Sequence, residues 1–437
     1  SSSKSNCTLI SKGAFENVLE VCNQLLIERQ VLPLDDASRE ALVQRYEDWS
    51  SKGYRVLGVA AKSVEKKERY EREDEEEMIF LGFLLFFDPP KPDVHDTIMR
   101  LEKLGVKLKI ITGDNRLVAT NIANSIGLAN PKVMTGSELD NLHNEAIWHS
   151  VEQTDIFAEV DPAQKERIIL ALKKIGHVVG YMGDGINDAP SLHSADVSIS
   201  VENAVDVAKE AADFVLLKQD LDILEQGILQ GRRTFANTLK YVFMATSANF
   251  GNMFSVAGAS LFLPFLPMLP KQILLINFLT DLPEMAIAGD QVDDVFVQKP
   301  HRWDVAFIRR FMLIFGSLSS LFDFATFAAL LWGFKASQET FHTGWFIESV
   351  LSASLVVFAV RTRLPFHKSH PSRIMIFFTA LVGLAALLLP YSPLARLMGF
   401  TALPPLTLVI ILIIIVIYFF SAELAKHWFY RKLSNND

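Results

Sequence analysis

Gly183-Asp184-Gly185-Ile186-Asn187-Asp188-Ala189-Pro190-Ser191-Leu192 follows a short apolar run, His177–Met182, that reads as a buried strand. Two carboxylates four residues apart, the first flanked by glycines, let the backbone turn sharply at a strand end. Such a turn presents hard oxygen ligands, suited to Mg²⁺ beside a phosphoryl group. Glycine and aspartate also make ordinary turns, so the surroundings of this string decide its meaning.

Those surroundings are a chain of two unlike halves. Of 437 residues, 50% are hydrophobic and 21% charged. Up to about Arg233 the sequence is charge-rich, including the run Glu65 to Glu77; beyond it, long apolar stretches dominate. A formal net charge of −8 argues against nucleic acid as a partner, which calls for a basic face. Cys7 and Cys22 are the only cysteines and lack metal-ligand spacing, which suits a reducing cytoplasmic setting for the soluble part. The first ten residues show no signal-peptide pattern.

In the soluble half, strand-like runs at Met78–Phe87, Leu108–Thr112, Ile156–Val160, His177–Met182, Val197–Val201 and Phe214–Leu217 alternate with helical patterns. Alternation of this kind predicts an α/β domain with a parallel sheet, whose site lies at the carboxyl ends of the strands. Polar signatures stand at three such ends. Thr112-Gly113-Asp114-Asn115 follows one strand, Asp161-Pro162-Ala163-Gln164-Lys165 a second, and Gly183–Asp188 a third. A hydroxyl from Thr112, a cation from Lys165 and metal-holding carboxylates from Asp184 and Asp188 are the parts of a phosphoryl-transfer site. Taken singly, Thr112 and Asp114 also suit a turn and a helix cap, and Lys165 a solvated helix charge.

After Thr234, six apolar segments can be drawn, at roughly 236–262, 269–289, 307–333, 344–361, 372–391 and 404–425. Each approaches the ~20 residues that cross a bilayer core, so the lipid bilayer is an expected partner. Every second connection is basic. Arg232, Arg233 and Lys240 precede the first span, Lys299, Arg302, Arg309 and Arg310 follow the second, Arg361, Arg363, Lys368 and Arg373 follow the fourth, and Lys426, Arg431 and Lys432 follow the sixth. That asymmetry predicts a cytoplasmic soluble half and a cytoplasmic C-terminus.

The first two spans are unusually polar. Asn249 and Asn252 lie three apart, as do Asn277 and Thr280; Asp281 follows Asn277 by four and Glu284 follows Asp281 by three. On a helix each set shares a face. Ionisable groups within a bilayer mark bundle interiors or ion pathways, while the amides alone also suit hydrogen bonding between helices. Pro283 would free carbonyls that could join a cation site. Asp323 and Glu348 are solitary in their spans, and packing or a helix-end position accounts for each as well.

With these motifs in view, the chain resembles the P-type cation-transporting ATPases along nearly its whole length. TGDN at 112–115, the DPAQK lysine at 165 and GDGINDAPSL at 183–192 match that family's phosphorylation-domain motifs. Ser11-Lys12-Gly13-Ala14 is similar to its nucleotide-pocket KGA element, and Asp88–Pro92 to its interdomain hinge. The resemblance implies a haloacid dehalogenase-like phosphorylation domain at 78–232, the C-terminal part of a nucleotide-binding domain at 1–77, and an α-helical six-span membrane domain at 233–437. It implies ATP and Mg²⁺ as cofactors, with Lys12 and Gly13 at the nucleotide. Catalysis would fall to Thr112, Gly113, Asp114, Lys165 and Asn187, and the catalytic Mg²⁺ to Asp184 and Asp188. Asn249, Asn252, Asn277, Thr280, Asp281 and Glu284 would face the transported cation of a multi-pass protein in the plasma, or inner, membrane.

Strings such as NFGN at 249–252, FLPFLPMLP at 262–270 and GWF at 344–346 are most similar to the bacterial-type magnesium transporters, whereas 277–283 also resembles calcium pumps. Asn252 stands where calcium pumps carry glutamate, and a site poorer in carboxylates suits the well-hydrated Mg²⁺. Thr280 and Glu284 depart from the magnesium-transporter pattern. The family's DKTGT nucleophile motif and TGES-type actuator motif do not occur in this sequence. The nucleophile aspartate and the actuator are therefore expected on an N-terminal portion outside this chain, without which no aspartyl-phosphate should form. A reading from another class, a non-catalytic membrane fragment that partners or regulates a pump, rests on the same absence.

Overall fold

The computed structural model describes residues 6–67, 69–91, 93–218 and 220–434. Pro92, at the end of the expected hinge, lies outside them. The chain forms two compact units, Ser1–Glu225 and Gln226–Asp437.

The first unit begins with a five-stranded sheet of β1 (Asn6–Ala14), β2 (Cys22–Ile27), β3 (Gln30–Pro33), β4 (Arg55–Glu65) and β5 (Met78–Phe86), in the order β1-β4-β5-β2-β3. The β2–β5 pair is parallel and the other pairs are antiparallel. Phe15, Leu19, Leu25, Met78 and Phe80 form its core, with Tyr46 packed against it. β5, which the alternation of strands and helices had grouped with the second domain, thus belongs to this sheet. Nor is it buried throughout, because Leu84, Leu85 and Phe86 at its far end are exposed.

The remaining strands form two three-stranded parallel sheets where one continuous sheet was expected. β6 (Ile110–Ile111), β7 (Val133–Thr135) and β8 (Ile156–Ala158) take the order β6-β8-β7, and β9 (Gly180–Met182), β10 (Val197–Val201) and β11 (Phe214–Leu216) the order β11-β10-β9. β6 and β9 are therefore both edge strands. The Pro162–Lys174 helix ties the two sheets together, burying Ile168 in the core beside β8 and its neighbour Ile169 in the core beside β9. Its start is locally specified. Asp161 accepts from the Gln164 N–H at 2.8 Å, Gln164 Oε1 accepts from the Asp161 N–H at 2.9 Å, and Pro162 occupies a first-turn position that needs no N–H donor.

In the second unit, four helices among the described residues are long and apolar enough to cross a membrane: Val305–Gly333, Gln338–Val360, Arg373–Tyr391 and Pro405–Arg431. The two preceding expected spans fall on the Leu221–Ala259 and Pro270–Met285 helices. Asn249 and Asn252 dilute the apolar character of the first. The second has only 16 residues, among them Asp281, Pro283 and Glu284. The Leu221–Ala259 and Val305–Ala328 helices cross closely where small residues meet. A Cβ added at Gly251 would sit 3.1 Å from Gly316 O, and Ser320 donates to Gly251 O at 3.0 Å.

Candidate functional site

The three polar strand ends differ in how tightly they are held. After β6, the Thr112 amide donates to Phe157 O at 2.9 Å, continuing the ladder with β8. Its hydroxyl donates to Asp114 Oδ2 at 3.1 Å and accepts from the Asp114 N–H at 3.1 Å, which folds the Thr112-Gly113-Asp114 turn on itself. Gly113 is exposed; Thr112 and Asp114 are half-buried. Asn115 caps the Arg116–Ser125 helix, accepting from the Val118 N–H at 2.9 Å. Its amide group also donates to Tyr46 OH at 2.8 Å and to Ser50 Oγ at 3.1 Å, on the helix packed against the first sheet. Sequence reasoning did not assign Asn115 this second task, because nothing local marks so distant a partner.

Asp188 is the anchor of the loop after β9 and is only 8% exposed. Its Oδ1 accepts from Lys165 Nζ at 2.8 Å and from Tyr181 OH at 2.6 Å, and its Oδ2 from the Gly185 N–H at 3.1 Å. Burial disfavours its charged form, but Lys165, Tyr181 and the Gly185 amide outweigh this and hold the carboxyl below its ordinary value. Burial, reinforced by the adjacent Asp188 charge, pushes the Tyr181 phenol up, so it remains a donor. Tyr181 was missed in sequence because it reads as one more apolar strand residue. Gly183 is required by close approach, since an added Cβ would fall 2.5 Å from Asp188 Cβ.

Asp184 contrasts with Asp188. It is exposed, its carboxylate makes no hydrogen bond or ion pair among the described residues, and its backbone oxygen accepts from the Val205 N–H at 3.1 Å. It borders a cavity shared with Asp93, Thr97, Gly183 and Asp220. A free carboxylate beside an open cavity fits a hydrated divalent cation, whereas the oxygens of Asp188 already serve three donors. Asn187 is exposed on the same loop. Lys12 and Gly13 lie on β1 of the five-stranded sheet, opposite Val59 and Gly58, with Lys12 exposed.

In the second unit, Asn252 and Glu284 come together on one cavity, which Ser247, Ser319, Ser352 and Tyr418 also line. Glu284 is 8% exposed. Asn249, Asn277 and Asp281 lie exposed on their helices, and the Thr280 hydroxyl turns back to Ile276 O at 3.0 Å. Of the six residues expected at the cation, then, the structure gathers two around a common space. The cavity's serines went unnoticed in sequence, although Ser349 and Ser352 repeat at helical spacing within an apolar span.

Comparison with known proteins matches this architecture segment by segment. Residues 1–93 match the family described as P-type ATPase, cytoplasmic domain N; residues 166–226 match haloacid dehalogenase-like hydrolase; and residues 265–428 match the cation transporting ATPase C-terminus. The magnesium-transporting ATPase, P-type 1, of Escherichia coli K12 is 44% identical over 402 residues, covering 91% of this chain and 45% of that protein. The protein of the same name from Salmonella typhimurium is also 44% identical over 402 residues. Calcium-transporting ATPase 1 of Bacillus cereus is 33% identical over 296 residues, 67% of this chain and 33% of that protein. The chain spans a little under half the length of the magnesium-transporting relatives it matches. It belongs to the family of P-type cation-transporting ATPases.

Proposed function

We propose that this polypeptide works in ATP-driven cation transport through an aspartyl-phosphate cycle, with Mg²⁺ as the transported ion. The observation that carries the reading is the convergence of Lys165, Tyr181 and the Gly185 amide on Asp188, one residue string away from the unengaged carboxylate of Asp184. Asp184 would hold the catalytic Mg²⁺, which supplies charge neutralisation on a transferring phosphoryl group. Asp188 would fix the loop and position Lys165, whose ammonium lies beside the same group. Thr112, Gly113 and Asp114 would donate to phosphoryl oxygens from the opposite strand end, with Asn187 completing the loop. Lys12 and Gly13 would meet ATP. The nucleophile aspartate and the actuator would come from sequence outside this chain, and the edge positions of β6 and β9 support an intervening strand.

In the second unit, all six apolar segments would span the plasma, or inner, membrane with the first unit and the C-terminus cytoplasmic, as the alternation of basic connections supports. Asn252 and Glu284 would face the transported cation directly, with Asn249, Asn277, Thr280 and Asp281 contributing from the adjoining face. The test is coexpression with an N-terminal portion that carries DKTGT, followed by measurement of hydroxylamine-labile phosphorylation. Labelling that responds to Mg²⁺ supports the reading, and labelling that responds to Ca²⁺ alone reassigns the ion. No labelling with either ion returns the chain to a non-catalytic membrane partner.

A further inference from the structure

Asp323 and Glu348, solitary in sequence, meet inside the second unit. Asp323 on the Val305–Ala328 helix is 2% exposed, and Glu348 on the Gln338–Val360 helix is 1% exposed. The two carboxyl groups face one another at hydrogen-bonding range. Asp323 Oδ1 accepts from Trp345 Nε1 at 2.7 Å, and Oδ2 from Ser255 Oγ at 2.6 Å. Oε2 of Glu348 receives no hydrogen bond from any described donor. Tyr418, on the Pro405–Ser434 helix, is the remaining titratable group that faces the pair, and Ser352 lies beside Glu348. Neither carboxyl has an ion-pair partner among the described residues, and no lysine, arginine or histidine contributes to their surroundings.

Two carboxylates in contact, buried and without a cation, cannot both be ionised, because mutual repulsion adds to the cost of desolvation. Something positive must sit between them. A divalent cation calls for about six oxygen ligands, yet both oxygens of Asp323 already receive N–H or O–H donors. A proton needs only one oxygen on each side, and it supplies the donor that Glu348 Oε2 lacks. We infer that Asp323 and Glu348 form a proton-binding site in the membrane half, holding one proton between them and separate from the cavity of Asn252 and Glu284. Binding forms one O–H bond on a carboxylate, with no other bond made or broken. The inference stands independently of the transported ion.

Infrared spectroscopy of the full chain in lipid nanodiscs tests it, with H⁺, D⁺, Mg²⁺ and Ca²⁺ as the only probes. A protonated-carboxyl C=O band is expected at pH 7, shifting on exchange into D₂O and unchanged by millimolar Mg²⁺ or Ca²⁺. Asp323→Asn and Glu348→Gln should each shift that band, and the double variant should lose it, with helical circular dichroism retained because the amides can donate where the proton did. The proposal fails if wild type shows no such band at pH 7, if either divalent ion abolishes it, or if the folded double variant keeps it unchanged. Should the double variant not fold, the wild-type spectra with and without divalent ions still decide.

Discussion

Lys165 Nζ lies 2.8 Å from Asp188 Oδ1, joining the first turn of the helix after β8 to the loop after β9. Both side chains are largely shielded, at 14% and 11% exposure. Lys165→Met would leave a buried carboxylate with two of its three donors, so a loss of about 1–3 kcal/mol is expected in chemical denaturation. The pH dependence follows in sign. The folded-state pKa of Asp188 is lowered, so its contribution is present above the ordinary aspartate value of about 3.9 and disappears as pH falls through the folded value. Asp188→Asn should therefore be less stable than wild type at neutral pH, with the gap closing in acid. A gap that persists unchanged at the lowest folded pH would contradict this.

Gly183→Ala should disturb the same loop by sterics alone. Its Cβ would overlap the Asp188 side chain, at 2.5 Å from Cβ and 2.8 Å from Cγ, whereas a Cβ at Gly185 would stand 3.4 Å from Asp188 Oδ2. Overpacking of the first kind costs about 1–3 kcal/mol. The expected order of melting temperatures is wild type, then Gly185→Ala, then Gly183→Ala; the reverse order of the two variants would refute the close-approach argument.

Mg²⁺ protection separates the roles of the two loop carboxylates. A ligand that binds only the folded state raises stability in proportion to its occupancy. The Mg²⁺-dependent rise in melting temperature of the first unit should shrink in Asp184→Asn, with affinity weakened about tenfold or more, roughly 1.4 kcal/mol per factor of ten. Equal rises in Asp184→Asn and wild type would remove Asp184 from the metal.

The chemistry of the first unit was legible because each polar string follows its own strand directly: Thr112 after β6, Lys165 in the helix after β8, and Asp184 with Asp188 after β9. Local sequence carries that much. What sequence could not reveal depends on which residues meet across long separations. The apolar run at Met78 specifies a strand but not its neighbours, and its partners Cys22 and Arg55 come from far upstream. Val133–Thr135 is too short to show a period of its own. Helical spacing groups Asp281 with Glu284, yet it does not say which way the helix faces, and only Glu284 turns inward. Asp323 and Glu348 met for the same reason: the rotation of two helices, invisible in either sequence, brings them together.

Buried charge at the ends of the helices of the second unit predicts an ordering of variants. Asp290 accepts from Arg361 Nη1 at 2.9 and 2.8 Å and from Lys240 Nζ at 2.9 Å, and the side chains of Asp290 and Arg361 are fully buried. Removing one member of such a group costs about 3–5 kcal/mol because its partner is left charged and desolvated. Asp290→Asn strands two cations. Arg361→Met strands none completely, since Lys240 still pairs with Asp290. Thermal unfolding in nanodiscs should find Asp290→Asn the more damaging of the two; the opposite ranking would show that packing of the Arg361 side chain dominates over its charge.

Thiol reactivity reports where the first sheet ends. Cys22 is buried, donates to Val18 O at 3.0 Å and packs with Met78 and Phe80 of β5. Burial, only partly offset by Arg39, pushes its thiol up to about 11. Against an ordinary cysteine near 8.5, its thiolate population at pH 8 is lower by on the order of 100-fold, and access is blocked as well. In the intact chain, half-buried Cys7 should react first with a disulfide reagent, and Cys22 only as the sheet opens in urea. A fragment ending at residue 77 lacks β5 and should expose Cys22 to rapid reaction, whereas one ending at residue 93 should keep it slow. Equal protection in both fragments would mean that β5 is dispensable to this sheet, and that the boundary at residue 77 read from the sequence is the physical one.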